Sequence, residues 1–191
     1  DFIDRYQPEY VVILSGDHIY KMDYAAMVEY HEKNAASCTI AVRHVPLAEA
    51  SRFGILNTNP DGSIYEFEEK PKQPKSTNAS MGIYVFNWPV LRAALLEDEE
   101  DESSSNDFGK NIIPRLLGQG HKMMAYTFDG YWKDVGTIDS LWEANMELLG
   151  KEPDFQLRGD ERQKIYARND ALPSSYIDDD AKTINCLIAE G

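Results

Sequence analysis

The stretch Tyr10-Val11-Val12-Ile13-Leu14-Ser15-Gly16-Asp17 decides the fold. Its apolar run reads as a strand buried on both faces, the habit of parallel sheets. Ser15-Gly16-Asp17 then turns the chain and leaves a carboxylate just past the strand's carboxyl end, where open α/β sheets place their ligands. Asp23 is positioned to cap the next helix, in which Tyr24, Met27, Val28 and His31 fall at i, i+3, i+4 and i+7. Cys38 to Val45 reads as a second strand, so this region is expected to be a βαβ unit.

Further along, Phe53 to Thr58 and Ser63 to Glu69 flank Asn59-Pro60-Asp61-Gly62, the chemistry of a hairpin turn. Ala79 to Asn87 reads as another buried strand, followed by a helix with Pro89 in its first turn. Glu97 to Asp107 carries seven acidic residues and no basic one. It is expected to be a solvated, mobile loop. Phe108 to Leu117 predicts a helix bent or delayed by Pro114, and Lys122 to Phe128 and Tyr131 to Asp134 predict strands. Thr137 should cap a helix with Ile138, Leu141, Trp142, Leu148 and Leu149 on one face, stopped by Gly150. This alternation predicts an α/β domain with a mixed sheet over residues 1–150. Residues 151–172 read as a polar linker. From Ile177 a six-residue rhythm (Ile177, Thr183, Ala189, with Ala181 and Leu187) fits either the start of a β-helix or an irregular tail, because two turns do not establish a repeat.

Composition narrows the function classes. The chain has 191 residues, with 19 Lys plus Arg against 33 Asp plus Glu, a net charge of −14, and 42% hydrophobic residues. That suits a globular domain and argues against a nucleic-acid partner, which needs clustered Lys and Arg. No apolar run approaches the roughly 20 residues of a membrane-spanning helix. Cys38 and Cys186 make neither a disulfide framework nor a zinc site, so a reduced, cytoplasmic setting is expected. Small phosphorylated ligands remain open, since Mg²⁺ bridges carboxylates to phosphates. The opening at Asp1, with neither an initiator Met nor a signal segment, leads us to expect an internal piece of a longer protein.

Several residues could carry chemistry. Asp17 and Asp134 both sit at strand ends, Asp134 within Tyr131-Trp132-Lys133-Asp134-Val135-Gly136-Thr137. They could meet at one rim of the sheet and share Mg²⁺, or be two unrelated turn acids. In Glu68-Glu69-Lys70-Pro71 the proline should end the strand and free Lys70 to meet an anion. Glu69 and Lys70 alternate across a regular strand, so they serve one pocket only if the strand ends or bulges between them. Ser80 and Gly82 interrupt an apolar strand, and Gly82 and Gly54 are places where a ligand or backbone could come close. Asp107 reads mainly as a helix cap. His18 adjoins Asp17, whereas His31, His44 and His121 read as packing or surface residues.

Taken together, Ser15-Gly16-Asp17-His18-Ile19-Tyr20-Lys21-Met22-Asp23-Tyr24, Phe67-Glu68-Glu69-Lys70-Pro71, Ala79-Ser80-Met81-Gly82-Ile83-Tyr84-Val85-Phe86 and Tyr131 to Thr137 resemble the bacterial glucose-1-phosphate adenylyltransferases (ADP-glucose pyrophosphorylases). The resemblance covers roughly residues 1 to 150 and implies a Rossmann-like nucleotidyltransferase domain without its N-terminal part. It also implies that 173–191 open a left-handed β-helix. The implied reaction joins ATP and glucose 1-phosphate into ADP-glucose and pyrophosphate, in glycogen biosynthesis. By motif match, Asp17 and Asp134 hold Mg²⁺, Lys70 neutralises the sugar phosphate, Glu69 accepts hydrogen bonds from glucose hydroxyls, and Ser80, Gly82 and Gly54 line the sugar pocket. An allosteric homotetramer is implied for the full-length protein. The family's Gly-rich, Arg-containing phosphate loop has no counterpart here, so the piece alone is expected to be inactive. Two alternatives stand beside this reading: a non-catalytic regulatory homologue, and a pyrophosphorylase using another nucleoside triphosphate.

Overall fold

The computed structural model describes residues 2–149, 153–155, 175–184, 186 and 188. Their strands are β1 (Tyr10–Ile13), β2 (His18–Tyr20), β3 (Cys38–His44), β4 (Gly54–Thr58), β5 (Ile64–Glu69), β6 (Asn78–Asn87), β7 (Met123–Thr127) and β8 (Trp132–Asp134). The helices are α1 (Tyr24–Lys33), α2 (Leu47–Ala50), α3 (Trp88–Glu99), α4 (Ile113–Gly118) and α5 (Ile138–Glu147). Two compact units emerge. One comprises the residues up to Gly16 and Met22–Asp129; the other comprises Asp17–Lys21 and the described residues from Gly130 onward.

The first unit is built on a six-stranded mixed sheet in the order β5-β4-β6-β3-β7, with β1 also paired to β6. Only β3 and β7 run parallel. β6 is the organising strand. Val85 faces Thr39 of β3 on one edge and Val12 of β1 on the other, whereas Ala79 faces Arg43 of β3 and Ile55 of β4. β1 and β4 therefore share one edge of β6, end to end, and β3 lines the opposite edge. The expected βαβ unit is split, because β6 enters between its two parallel strands, antiparallel to both.

The reading of β1 as a parallel strand buried on both faces is corrected. It pairs antiparallel, and Val12 and Leu14 are 38% and 45% exposed. Hydropathy reports aversion to water, not the direction or number of partner strands. The hairpin is as expected: Gly62 takes a left-handed φ of 83°, and the Asp61 carboxylate accepts from Ser63 N–H at 2.9 Å. Asp23 accepts from the N–H groups of Ala25 and Ala26, as a cap should. Beneath the sheet, Ile40, Leu56, Phe86, Leu91, Ile112, Ile113, Leu116 and Met123 form the main core. His31 is buried with both ring nitrogens satisfied, by Thr39 Oγ1 at 2.8 Å and Asn87 Oδ1 at 2.9 Å, so its role is packing.

The acidic stretch is also corrected. Its first residues belong to α3, and Asp98 is buried. Arg115 of α4 lies 3.4 Å from Asp98 and 3.0 Å from Asp101, and Ser104 Oγ donates to Asp98 at 2.8 Å. A cation from outside the acidic run thus anchors it. Arg115→Met should destabilise the fold by about 1–2 kcal/mol by stranding Asp98, less than a fully buried pair costs because Arg115 is itself partly exposed. Urea denaturation checks this; an unchanged midpoint would mean that Ser104 alone satisfies Asp98.

In the second unit β2 and β8 pair antiparallel, with His18 opposite Asp134 and Tyr20 opposite Trp132. Thr137 and Ser140 form a reciprocal capping box at the start of α5. Lys133 bridges β8 to Glu143 and Glu147 of α5 at 3.1 and 2.6 Å. The apolar face of α5 is open among the described residues, with Ile138 86% exposed and Trp142 62%. Of the predicted linker, residues 153–155 are described; Phe155 is buried against the Tyr131 ring at 5.0 Å. The rest of the linker, Gly150, Leu187 and Ala189 lie outside the described residues. Residues 175–184, 186 and 188 carry no strand.

Candidate active site

The second unit assembles the strand-end acids. The turn into β2 brings Asp17 to the end of β8. The register then sets His18 across from Asp134, so that one ligand atom from each of Asp17, His18 and Asp134 lies within 4.8 Å of the others. Backbone bonds hold both loops: Val135 N–H donates to the Asp17 carbonyl at 3.2 Å, and Gly136 N–H donates to Asp134 Oδ1 at 2.8 Å. A Cβ on Gly136 would sit 3.1 Å from Asp134 Oδ1 and 3.6 Å from Asp17 Oδ2, so a bare backbone there lets the two acids stay close. Gly136 carries no side-chain chemistry and had no signal beyond its place in the Asp-Val-Gly-Thr run.

His18 is not an equal member of this set. The Trp132 indole N–H can only donate, and it points at His18 Nδ1 from 3.3 Å. Nδ1 is therefore the acceptor, and the neutral ring carries its proton on Nε2, the atom 3.6 Å from Asp17 Oδ1. That tautomer offers Asp17 a donor rather than a lone pair to a metal. Two carboxylates remain as ligands. An all-oxygen pair fits a hard divalent cation such as Mg²⁺, which takes one or two carboxylates and fills its other positions with phosphate and water oxygens. Asp17, Asp134 and their backbone clamps would hold that ion.

The first unit assembles the other expected residues. Glu69 ends β5, and Lys70 adopts a left-handed φ of 48°. This reversal breaks the strand's alternation and lets both side chains point the same way, with Lys70 Nζ 3.9 Å from Glu69 Oε1. The condition set by the strand geometry is met by a backbone state that a lysine seldom adopts. Glu69 Oε2 rests against Gly54, whose added Cβ would lie 3.0 Å from it and 2.5 Å from Phe67 Cζ. The close approach at Gly54 is thus made by protein side chains. Burial raises the Glu69 pKa. The Asp107 charge adds to the rise, and Lys70 and Lys110 oppose it.

Gly82 has φ of 67° at a bulge: β3 advances from Ile40 to Val42 while β6 advances from Tyr84 back to Ser80. Ser80 Oγ accepts from Gly82 N–H at 3.3 Å and secures the bulge. Tyr84, which sequence reasoning passed over as one apolar residue among many, stacks on Phe108 at 5.7 Å. Its hydroxyl pKa is pushed up to about 12, chiefly by burial, with a hydrogen bond to Ser80 opposing. Asp107 caps the next turn, as expected, by accepting from Lys110 N–H at 2.9 Å. That turn, Phe108–Ile112, is π-helical, a form frequent at functional sites.

A strand-end carboxylate pair suits a divalent cation, and a lysine beside a carboxylate is a combination that suits an anionic, hydroxyl-bearing ligand. The family model described as "Nucleotidyl transferase" matches residues 1–151, and the chain belongs to that family. Over its whole length it is 61% identical to a Clostridium beijerinckii protein and 63% identical to a Clostridium perfringens protein, and a Clostridium novyi protein is 55% identical over 190 residues. All three are named glucose-1-phosphate adenylyltransferase. The aligned parts are 49%, 48% and 50% of those proteins, so the chain spans about half the length of the curated relatives it matches.

Proposed function

We propose that this chain is the sugar-phosphate and metal-binding part of a glucose-1-phosphate adenylyltransferase, which makes ADP-glucose and pyrophosphate from ATP and glucose 1-phosphate for glycogen synthesis. The observation that carries the reading is the convergence of Asp17 and Asp134 to within 4.8 Å in a chain 55–63% identical to relatives of that name. A phosphate oxygen of glucose 1-phosphate attacks the α-phosphorus of ATP, and the bond to pyrophosphate breaks. The attacking oxygen is already ionised, so the protein's tasks are positioning and charge neutralisation. Lys70 neutralises the sugar phosphate. Glu69 accepts from glucose hydroxyls, and Ser80 and the Gly82 bulge shape the sugar pocket, with Gly54 giving Glu69 its room. Mg²⁺ supplies charge neutralisation on the phosphates when bound to Asp17 and Asp134.

We further read 1–150 as the partial catalytic domain, 151–172 as a linker and 173–191 as the first turns of a left-handed β-helix, on the spacing of Ile177 and Thr183. The full-length protein is read as a cytoplasmic homotetramer under allosteric control. The test is pyrophosphate release by the full-length protein from glucose 1-phosphate with ATP, dTTP or UTP in turn. Preference for ATP is expected. Preference for another triphosphate would make it a different pyrophosphorylase, and no release with any would make it a regulatory homologue.

A further inference from the structure

We propose that Gly109 is a positioning residue which, with Gly54, forms a socket that fixes the orientation of the Glu69 carboxylate for the sugar. The proposal rests on the adenylyltransferase reading. A Cβ built on Gly109 would lie 2.5 Å from Glu69 Oε2, 3.1 Å from its Cδ and 3.4 Å from Asp107 Oδ1. Gly54 approaches the same oxygen, at 3.0 Å. Oε2 therefore occupies space that exists because two residues lack side chains, while Oε1 is the oxygen facing Lys70.

Backbone conformation does not explain the choice of glycine. The glycines at positive φ are Gly62, Gly82 and Gly120, whereas Gly54 lies in β4 and Gly109 in a helical turn. Alanine would fit either backbone; the missing Cβ serves the neighbour. Gly109 lies in the π-helical turn. Asp107 opens that turn: its side chain accepts from Lys110 N–H, and its carbonyl accepts from Asn111 N–H at 2.9 Å and from Ile112 N–H at 3.3 Å.

The two glycines differ in a way that makes a test. Alanine at 54 would strike the Phe67 ring, which packs against the main core. Alanine at 109 would meet chiefly the far end of the Glu69 side chain, which can swing away. Gly109→Ala should therefore fold normally and misplace one carboxylate. Displacements on the order of 1 Å at a positioning group cost up to about 100-fold.

The experiment compares wild type, Gly109→Ala, Glu69→Ala and the double variant in the full-length enzyme, by steady-state kinetics and thermal unfolding. For Gly109→Ala, the KM for glucose 1-phosphate should rise about tenfold or more, the KM for ATP should move less than about twofold, and Tm should hold or rise. In the Glu69→Ala background the same change should add less than about twofold, because the group it acts through is gone. An unchanged sugar-phosphate KM, an equal loss for both substrates, a full additional loss in the Glu69→Ala background, or a Tm drop above about 5 °C would each overturn the proposal. A wild type inactive with every triphosphate overturns the functional reading itself, and this inference with it.

Discussion

Asp134→Asn in the full-length protein is expected to lower kcat by about 100- to 1000-fold without harming the fold. The size is that of losing one preorganised electrostatic partner of a charged transition state. The fold should survive because the bond from Gly136 N–H at 2.8 Å needs only an oxygen, which asparagine also offers. Stability should hold or rise slightly, since two carboxylates within 4.8 Å repel and Asp17 is exposed enough for water to screen all but about 1 kcal/mol of that repulsion. The Mg²⁺ concentration for half-maximal rate should increase as well. A turn acid predicts activity kept and stability equally unharmed, because asparagine preserves the Gly136 bond. Kinetics therefore separates the two while thermal unfolding checks that the variant is folded, and a variant within twofold of wild-type kcat defeats the metal assignment.

Lys70→Ala is expected to raise the KM for glucose 1-phosphate about 10- to 150-fold, with little change for ATP. A charge-assisted hydrogen bond to the sugar phosphate contributes about 1.5–3 kcal/mol, and each 1.4 kcal/mol is roughly tenfold. That bond exists before the reaction begins, so the loss should fall on KM more than on kcat. Stability should change by less than about 0.5 kcal/mol, because the Lys70 side chain is 65% exposed and its 3.9 Å contact to Glu69 is weak. Varying each substrate in turn measures this. An unaltered sugar-phosphate KM, or the same loss for both substrates, means that Lys70 is only a charged strand end.

The local features were legible because local chemistry encodes them. Asn59-Pro60-Asp61-Gly62 makes its turn through one left-handed glycine and one aspartate side chain, and Asp23 and Thr137 cap their helices within three residues of themselves. Asp17 and Asp134 were legible as candidates by the turn residues beside them, but β2, the short strand after Asp17 whose pairing with β8 brings them together, was not foreseen. What could not be read depends on residues far apart in sequence. Hydropathy marks β1 and β3 as strands but says nothing of β6 entering between them. Six acids in a row suggest water until Arg115 is found beside Asp98. Gly109 follows Asp107 and Phe108 directly, yet its meaning lies in Glu69, which arrives from another strand. The Glu69–Lys70 geometry falls between these cases: the need for a break was visible, but the left-handed turn at Lys70 was not.

The insertion of β6 also orders events during folding. Val12 and Thr39 both wait for Val85, although the hairpin and α2 lie between that residue and either partner, with α1 as well in the case of Val12. Only the β4–β5 hairpin closes over a short loop; every other pairing in the sheet spans a long one, whose closure entropy comes due before the contact is made. Within this chain, β1 and β3 meet their common partner only once the bulged strand at Gly82 has been synthesised. Until Asn87 is made, the edges that β6 will cover wait for it, and unpaired strand edges are what invites association with other chains.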